Sequence, residues 1–117
     1  MTSADFRQLA VQLPEVMENE HFGHPDFRTG GKIFATLGSP DARHGMVKLP
    51  PDIQARAFLE EPGVYSPAAG AWGLQGSTLV LLEGANEGSV EALLREGWQF
   101  ARSKRPAKPR VKRTAKP

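Results

Sequence analysis

Residues 21–37 read HFGHPDFRTGGKIFATL, and the parsing of this stretch decides the fold. Gly30-Gly31 can take positive φ without steric penalty. The pair stands between Phe27-Arg28 and the β-type run Lys32-Ile33-Phe34-Ala35-Thr36-Leu37, so a tight hairpin is predicted there. His24-Pro25-Asp26 supplies turn chemistry. Residues 15–22, where Val16, Met17 and Phe22 alternate weakly with polar groups, are therefore expected to form a strand that ends at that turn. Past Gly38-Ser39-Pro40-Asp41, residues 45–49 place Val47 and Leu49 on one face and Lys48 on the other. The simplest account is a three-stranded antiparallel meander.

Helical spacing frames this β-rich centre. Phe6, Leu9, Ala10 and Leu13 recur at i, i+3, i+4 and i+7 behind Thr2 and Ser3, and Pro14 follows, which predicts a capped amphipathic helix with a stop. Pro50-Pro51-Asp52 opens a second helix carrying Ile53, Ala57, Phe58 and Leu59, closed before Pro62. Val64-Tyr65-Ser66-Pro67 reads as extended, and Ala68-Ala69-Gly70-Ala71 as a loop that carries Trp72-Gly73. Residues 77–82 form the clearest strand in the chain. Asn86 caps a last helix in which Val90, Leu93, Leu94, Trp98 and Ala101 make one stripe that should cover the sheet. The fold class is α+β, an antiparallel sheet with helices packed on one face.

The chain has 117 residues and no cysteine, which suits one domain and excludes disulfides, thiolate metal sites and cysteine nucleophiles. The longest apolar run spans only residues 79–82, far short of the ~20 residues of a membrane helix, and residues 1–12 lack a secretory h-region. A cytoplasmic monomer with no membrane partner is expected. The net charge of +2 conceals a division. Residues 103–117 carry Lys104, Arg105, Lys108, Arg110, Lys112, Arg113 and Lys116 and no acid, leaving eight cations against all 13 acids in residues 1–102, a net of −5. Pro106, Pro109 and Pro117 punctuate the tail, so disorder is expected there. The organisation is thus an α/β body over residues 1–102 and a basic tail over 103–117.

Two stretches, His21-Phe22-Gly23-His24-Pro25-Asp26-Phe27-Arg28 followed by Gly31-Lys32-Ile33-Phe34-Ala35, and Gly70-Ala71-Trp72-Gly73 before the strand at 78–82, resemble the MmcQ/YjbR family of small bacterial proteins. Val47-Lys48-Leu49-Pro50 adds to the likeness, which covers nearly all of residues 3–102. The resemblance implies a compact α/β sandwich similar to the bacterial frataxin CyaY. It also implies a likeness to the double-wing DNA-binding domain of a phage transcription factor, and fold likeness alone carries function only by association.

The candidate sites weigh as follows. His21, His24, Asp26 and His44 are metal-type ligands, yet no metal-binding framework surrounds them; a turn in which His24 and Asp26 bond backbone groups beside Pro25 is the plainer reading. Glu15, Glu18, Glu20, Glu60 and Glu61 read as a solvated acidic face rather than paired catalytic acids. No nucleophile elbow or P-loop is present; the 70–76 segment does not open a helix, and Trp72 is expected to anchor its loop in the core, with base stacking or a ligand pocket as the alternative. No catalytic residue and no cofactor are expected. Arg28 and Lys32 flank the Gly30-Gly31 turn like a cationic wing, which Lys48 and Arg43 would extend. With the tail cations Lys104, Arg105, Lys108, Arg110, Lys112, Arg113 and Lys116, they point to a DNA-binding protein, largely nonspecific on duplex DNA. The alternative is a module for a protein or small ligand, built around the Trp72 loop and the 21–28 segment with His21, His24 and Asp26.

Overall fold

The computed structural model describes residues 1–103; the expected disorder of the tail falls on residues outside these. Thr2 caps α1 (Ser3–Val11) by accepting from the Asp5 N–H, and Asp5 returns the bond to the Thr2 N–H, a reciprocal capping box. Four strands follow: β1 (Met17–His21), β2 (His24–Thr29), β3 (Lys32–Leu37) and β4 (His44–Lys48). Then come α2 (Pro51–Glu60), β5 (Tyr65–Pro67), the short α3 (Ala71–Leu74), β6 (Ser77–Leu81), a 3-10 turn and α4 (Glu87–Arg102). The strands form one antiparallel sheet in the order β1-β2-β3-β4-β6-β5.

The α+β class with an antiparallel sheet is as expected, but the meander has four strands rather than three. His24-Pro25-Asp26 is not a turn. It begins β2, and the turn is Phe22-Gly23, whose φ values of 51° and 79° match a two-residue hairpin with both central residues left-handed. A phenylalanine at positive φ is unusual, which is why the proline-containing triplet attracted the assignment. Pro25 is tolerated because the β2–β3 ladder starts one residue later, at Asp26 opposite Thr36, so its missing N–H falls where β2 has only β1 beside it. The predicted Gly30-Gly31 hairpin is present, with φ values of 60° and 79°. A bulge between Phe27 and Arg28 in the β2–β3 register then sets Arg28 opposite Ile33.

The register divides the sheet into two faces. Phe27, Ala35, Val47 and Thr78 align on one, as do Leu37, Gly45 and Val80. Phe6 of α1 meets Phe27 with ring centroids 6.4 Å apart and lies directly over Gly45, so this face takes the helices. The stripe of α4 lands as expected: Val90 and Leu94 are buried in the core, and Leu93, Trp98 and Ala101 pack against it. Asn86 caps the helix by accepting from the Ser89 N–H. Gln54 of α2 is buried and donates to Gly73 O and Thr78 Oγ1, each at 3.1 Å, which ties α2 and α3 to β6. Gly70 does open a helix, the four-residue α3, against expectation; too few residues follow for any apolar period to appear.

Gly97 is the point of closest approach between α4 and β4. A Cβ there would meet Lys48 O and Val47 Cγ1, both at 2.8 Å. Alanine would add up to ~1 kcal/mol of helix propensity, but overpacking against a backbone carbonyl costs about 1–3 kcal/mol. Gly97→Ala is therefore expected to destabilise the fold by about 1 kcal/mol in urea unfolding; a raised midpoint would mean that α4 does not pack this closely.

Candidate nucleic-acid interface

Arg28 from β2, Lys32 from the start of β3 and Lys48 from the end of β4 are separated by up to twenty residues, yet they line one groove of about 380 Å³. Gly31, Ile33, Gly97, Phe100 and Ala101 complete it, and no acidic residue is among its lining. The antiparallel meander brings these ends together, because the second hairpin and the end of β4 sit at the same edge of the sheet, and the last turn of α4 crosses that edge. Lys32 and Lys48 make no ion pair among the described residues. The last turn of a helix carries about half a negative charge on its free carbonyls, which is outweighed by two unpaired ammonium groups. Arg28, Lys32 and Lys48, expected along a wing, line this one groove.

Arg28 is held on a buried anchor. Asp26 is fully inaccessible to solvent, and it accepts from Arg28 Nε at 2.8 Å and Nη2 at 3.2 Å. His21 Nδ1 lies 2.7 Å from Oδ2, the oxygen that also accepts from Arg28 Nη2. The expectation that Asp26 bonds backbone groups in a turn is thus replaced by a side-chain relay from His21 through Asp26 to Arg28. Arg28 lowers the Asp26 pKa most, burial opposes it, and His21 adds to the lowering. The same bond raises the Arg28 pKa, so the guanidinium stays charged with Nη1 left over for an anion.

Arg102, the last residue of α4, lies outside the groove lining. Its Nη1 donates to Thr29 Oγ1 at 2.8 Å and pairs with Glu15 at 2.9 Å, and its guanidinium lies 4.9 Å over the Trp98 ring. Trp98 Nε1 in turn donates to Pro14 O. Glu15 and Glu18, expected as part of a solvated face, are engaged with Arg102 and Arg7. Ser103 caps α4. The tail candidates Lys104, Arg105, Lys108, Arg110, Lys112, Arg113 and Lys116 lie outside the described residues.

Other candidates fall elsewhere. Arg43 precedes β4 at the end opposite Lys48 and pairs loosely with Asp41 at 3.9 Å, so it does not extend the patch. Trp72 is not a core anchor: it is 64% exposed on α3, with Leu74 at 88%, because α3 is pinned through its Gly73 carbonyl and not through its indole. It lines neither groove described. The sheet order puts α3, packed on β5 and β6, at the far side from β1 and β2, so the Trp72 loop and the His21, His24 and Asp26 segment do not form one surface. His24 stands over Gly38, and no group of three or more His, Asp or Glu among the described residues could hold a metal. Sequence reasoning missed Ile33, Gly97, Phe100 and Ala101 as groove walls. Phe100, three residues after Gly97, was a legible signal obscured by the glycine that interrupts the apolar period.

The fold and the groove define a small α+β sandwich, one antiparallel sheet under a helical layer, with a cation-lined groove where the last helix ends. The chain belongs to the YjbR family, whose model matches residues 11–100. Among solved structures it is similar to Deinococcus radiodurans protein DR2400, which carries the family-model domain DUF419: the TM-score is 0.75 at 19% identity, covering 88% of this chain and 80% of that one. That likeness extends to the fold. No curated protein matches.

The buried carboxylate gives a test of this geometry. A carboxyl whose pKa is lowered on folding contributes stability above its unfolded value, here near 3.8, and loses it as pH falls through the folded value. Asp26→Asn should cost about 1–3 kcal/mol near neutral pH, measured by urea unfolding, and the gap to the parent should close as the pH drops below about 4. A gap independent of pH would show that charge plays no part.

Proposed function

We propose that this protein is a non-catalytic DNA-binding protein of the cytoplasm, acting as a monomer, in which the cationic groove and the basic tail both contact phosphates. The observation that carries the reading is the convergence of Arg28, Lys32 and Lys48 on a groove without acids, beside which α4 ends one residue before a segment of seven cations and no acid. Phosphate contacts of this kind supply affinity and position with little sequence information. The tail supplies most of the affinity, and the groove supplies a fixed docking point on the body.

Salt dependence separates the two contributions, because each phosphate neutralised contributes about −0.9 to the slope of log K against log salt on a duplex. The full chain should bind duplex DNA with a slope that falls by about 2 in the Lys32→Ala, Lys48→Ala double variant. Ending the chain at Arg102 should flatten the slope further and weaken binding by at least ~100-fold near 100 mM salt. Absence of measurable duplex binding by the full chain at low salt overturns the proposal.

A second reading, a protein-interaction module, is favoured by one observation: Trp72 and Leu74 are both exposed on α3, and exposed aromatics mark contact surfaces. Because Trp72 is 64% exposed, Trp72→Ala should change stability by less than about 0.5 kcal/mol in urea unfolding. A larger loss would assign Trp72 to the fold and remove the basis of this reading.

A further inference from the structure

We infer that the groove takes a phosphate monoester, the dianionic group found at the end of a nucleic-acid strand or on a small phosphorylated metabolite, in preference to the internal diester of a strand. This rests on the phosphate-binding reading above and deepens it by naming the form of phosphate. The first argument is charge. Arg28, Lys32 and Lys48 line the groove with no acid beside them, and the one carboxylate bonded to any of the three is the buried Asp26 on Arg28. Three cations less one carboxylate leave two positive charges at the site. A phosphate monoester carries about −1.5 to −2 at pH 7, whereas each internal phosphate of a strand carries a single negative charge. The monoester is the better match.

The second argument is the supply of donors. Arg7, Arg43, Arg95 and Arg102 each pair with a carboxylate, but Lys32 and Lys48 pair with none among the described residues. Their ammonium groups are left for an external anion, each with its N–H donors. Arg28 keeps Nε and Nη2 on Asp26 and has Nη1 to spare. Since Asp26 is buried and holds the guanidinium by two bonds, little side-chain freedom remains to be lost when an anion arrives. Three neighbouring strands, β2, β3 and β4, thus bring one cation each, and the terminal phosphate of a monoester offers them three acceptor oxygens. An internal diester offers two. The third argument is room. The groove of about 380 Å³ falls in the range of small-ligand sites, and a Cβ at Gly31 would meet nothing within 4 Å, so the space beside Lys32 is open.

The test uses the full chain and fluorescence anisotropy at about pH 8, where the monoester is fully ionised, and about 100 mM salt. The probes are two thymidine strands of about 15 nucleotides labelled at the 3′ end, one with a 5′-phosphate and one with a 5′-hydroxyl, a duplex of the same length, and glycerol 3-phosphate as competitor. The phosphorylated strand should bind roughly ten-fold more tightly than the hydroxyl strand, and the Lys32→Ala, Lys48→Ala double variant should bind the two strands equally. Equal affinity of the parent for both strands overturns this inference and leaves the phosphate-binding reading standing. A double variant that keeps the preference also overturns it, because the terminal phosphate then sits elsewhere. Binding to neither strand nor the duplex overturns both. Loss of the preference at micromolar glycerol 3-phosphate supports the inference with a small ester as the source of the group, and a preference that withstands millimolar competitor supports it with the strand end as the source.

Discussion

The close approach of α4 to the sheet at Gly97 is the constraint on which the rest depends. With no side chain at that position, the helix axis drops until the backbone of Lys48 and the methyl of Val47 lie against it. The core then closes, since Val90 and Leu94 reach the sheet and become fully buried with Phe34, Val47 and Val80. The same approach carries the last turn across the edge where the second hairpin and the end of β4 meet. Phe100 and Ala101 therefore stand beside Arg28, Lys32 and Lys48, and Arg102 reaches Thr29. One packing contact builds the hydrophobic core and the groove together.

Much of this was legible in the sequence, where local chemistry and the final structure agree. Thr2, Asn86, the Gly30-Gly31 turn and the α4 stripe each have a physical reason that holds without tertiary context. The errors have a common source in residues whose behaviour is set by distant partners. Phe22 adopts positive φ because β1 and β2 pair around it, and Pro25 fits within β2 because its neighbour β3 has not yet begun to pair. Trp72 stays outside because Gln54 of α2 holds α3 through a backbone carbonyl, a contact that no local pattern encodes.

The candidate site divides in the same way. Charged residues could be picked out as candidates, since Arg28 and Lys32 flank a turn and Lys48 lies at the end of a strand, but their convergence needed the register. Arg43, equally plausible by sequence, falls at the wrong end of β4. The apolar half of the groove was harder to read, because Ile33 sits in an ordinary β-type run and Phe100 falls outside the α4 stripe, and their surroundings are set only by the bulge after Phe27 and the glycine at 97.

The acidic body does not contradict an anion-binding groove, and the reason is distance. Charges separated by more than about 8 Å are largely screened at physiological salt, so the net of −5 over residues 1–102 matters less than what lies within that radius. Glu60, Glu61 and Glu96 line a separate groove between α2 and α4, while Glu15 and Glu18 are engaged by Arg102 and Arg7. Asp26, the acid nearest the cations, is buried and shared between His21 and Arg28. At low salt the screening length grows to about 30 Å at 0.01 M, and the whole body then repels a polyanion that the groove and tail attract. Added salt thus weakens the attraction and the repulsion together, so the fall in affinity from very low salt is shallower than a count of neutralised phosphates alone implies. On the proposed reading, the acidic body confines polyanion binding to the places where cations are concentrated in the sequence and the groove.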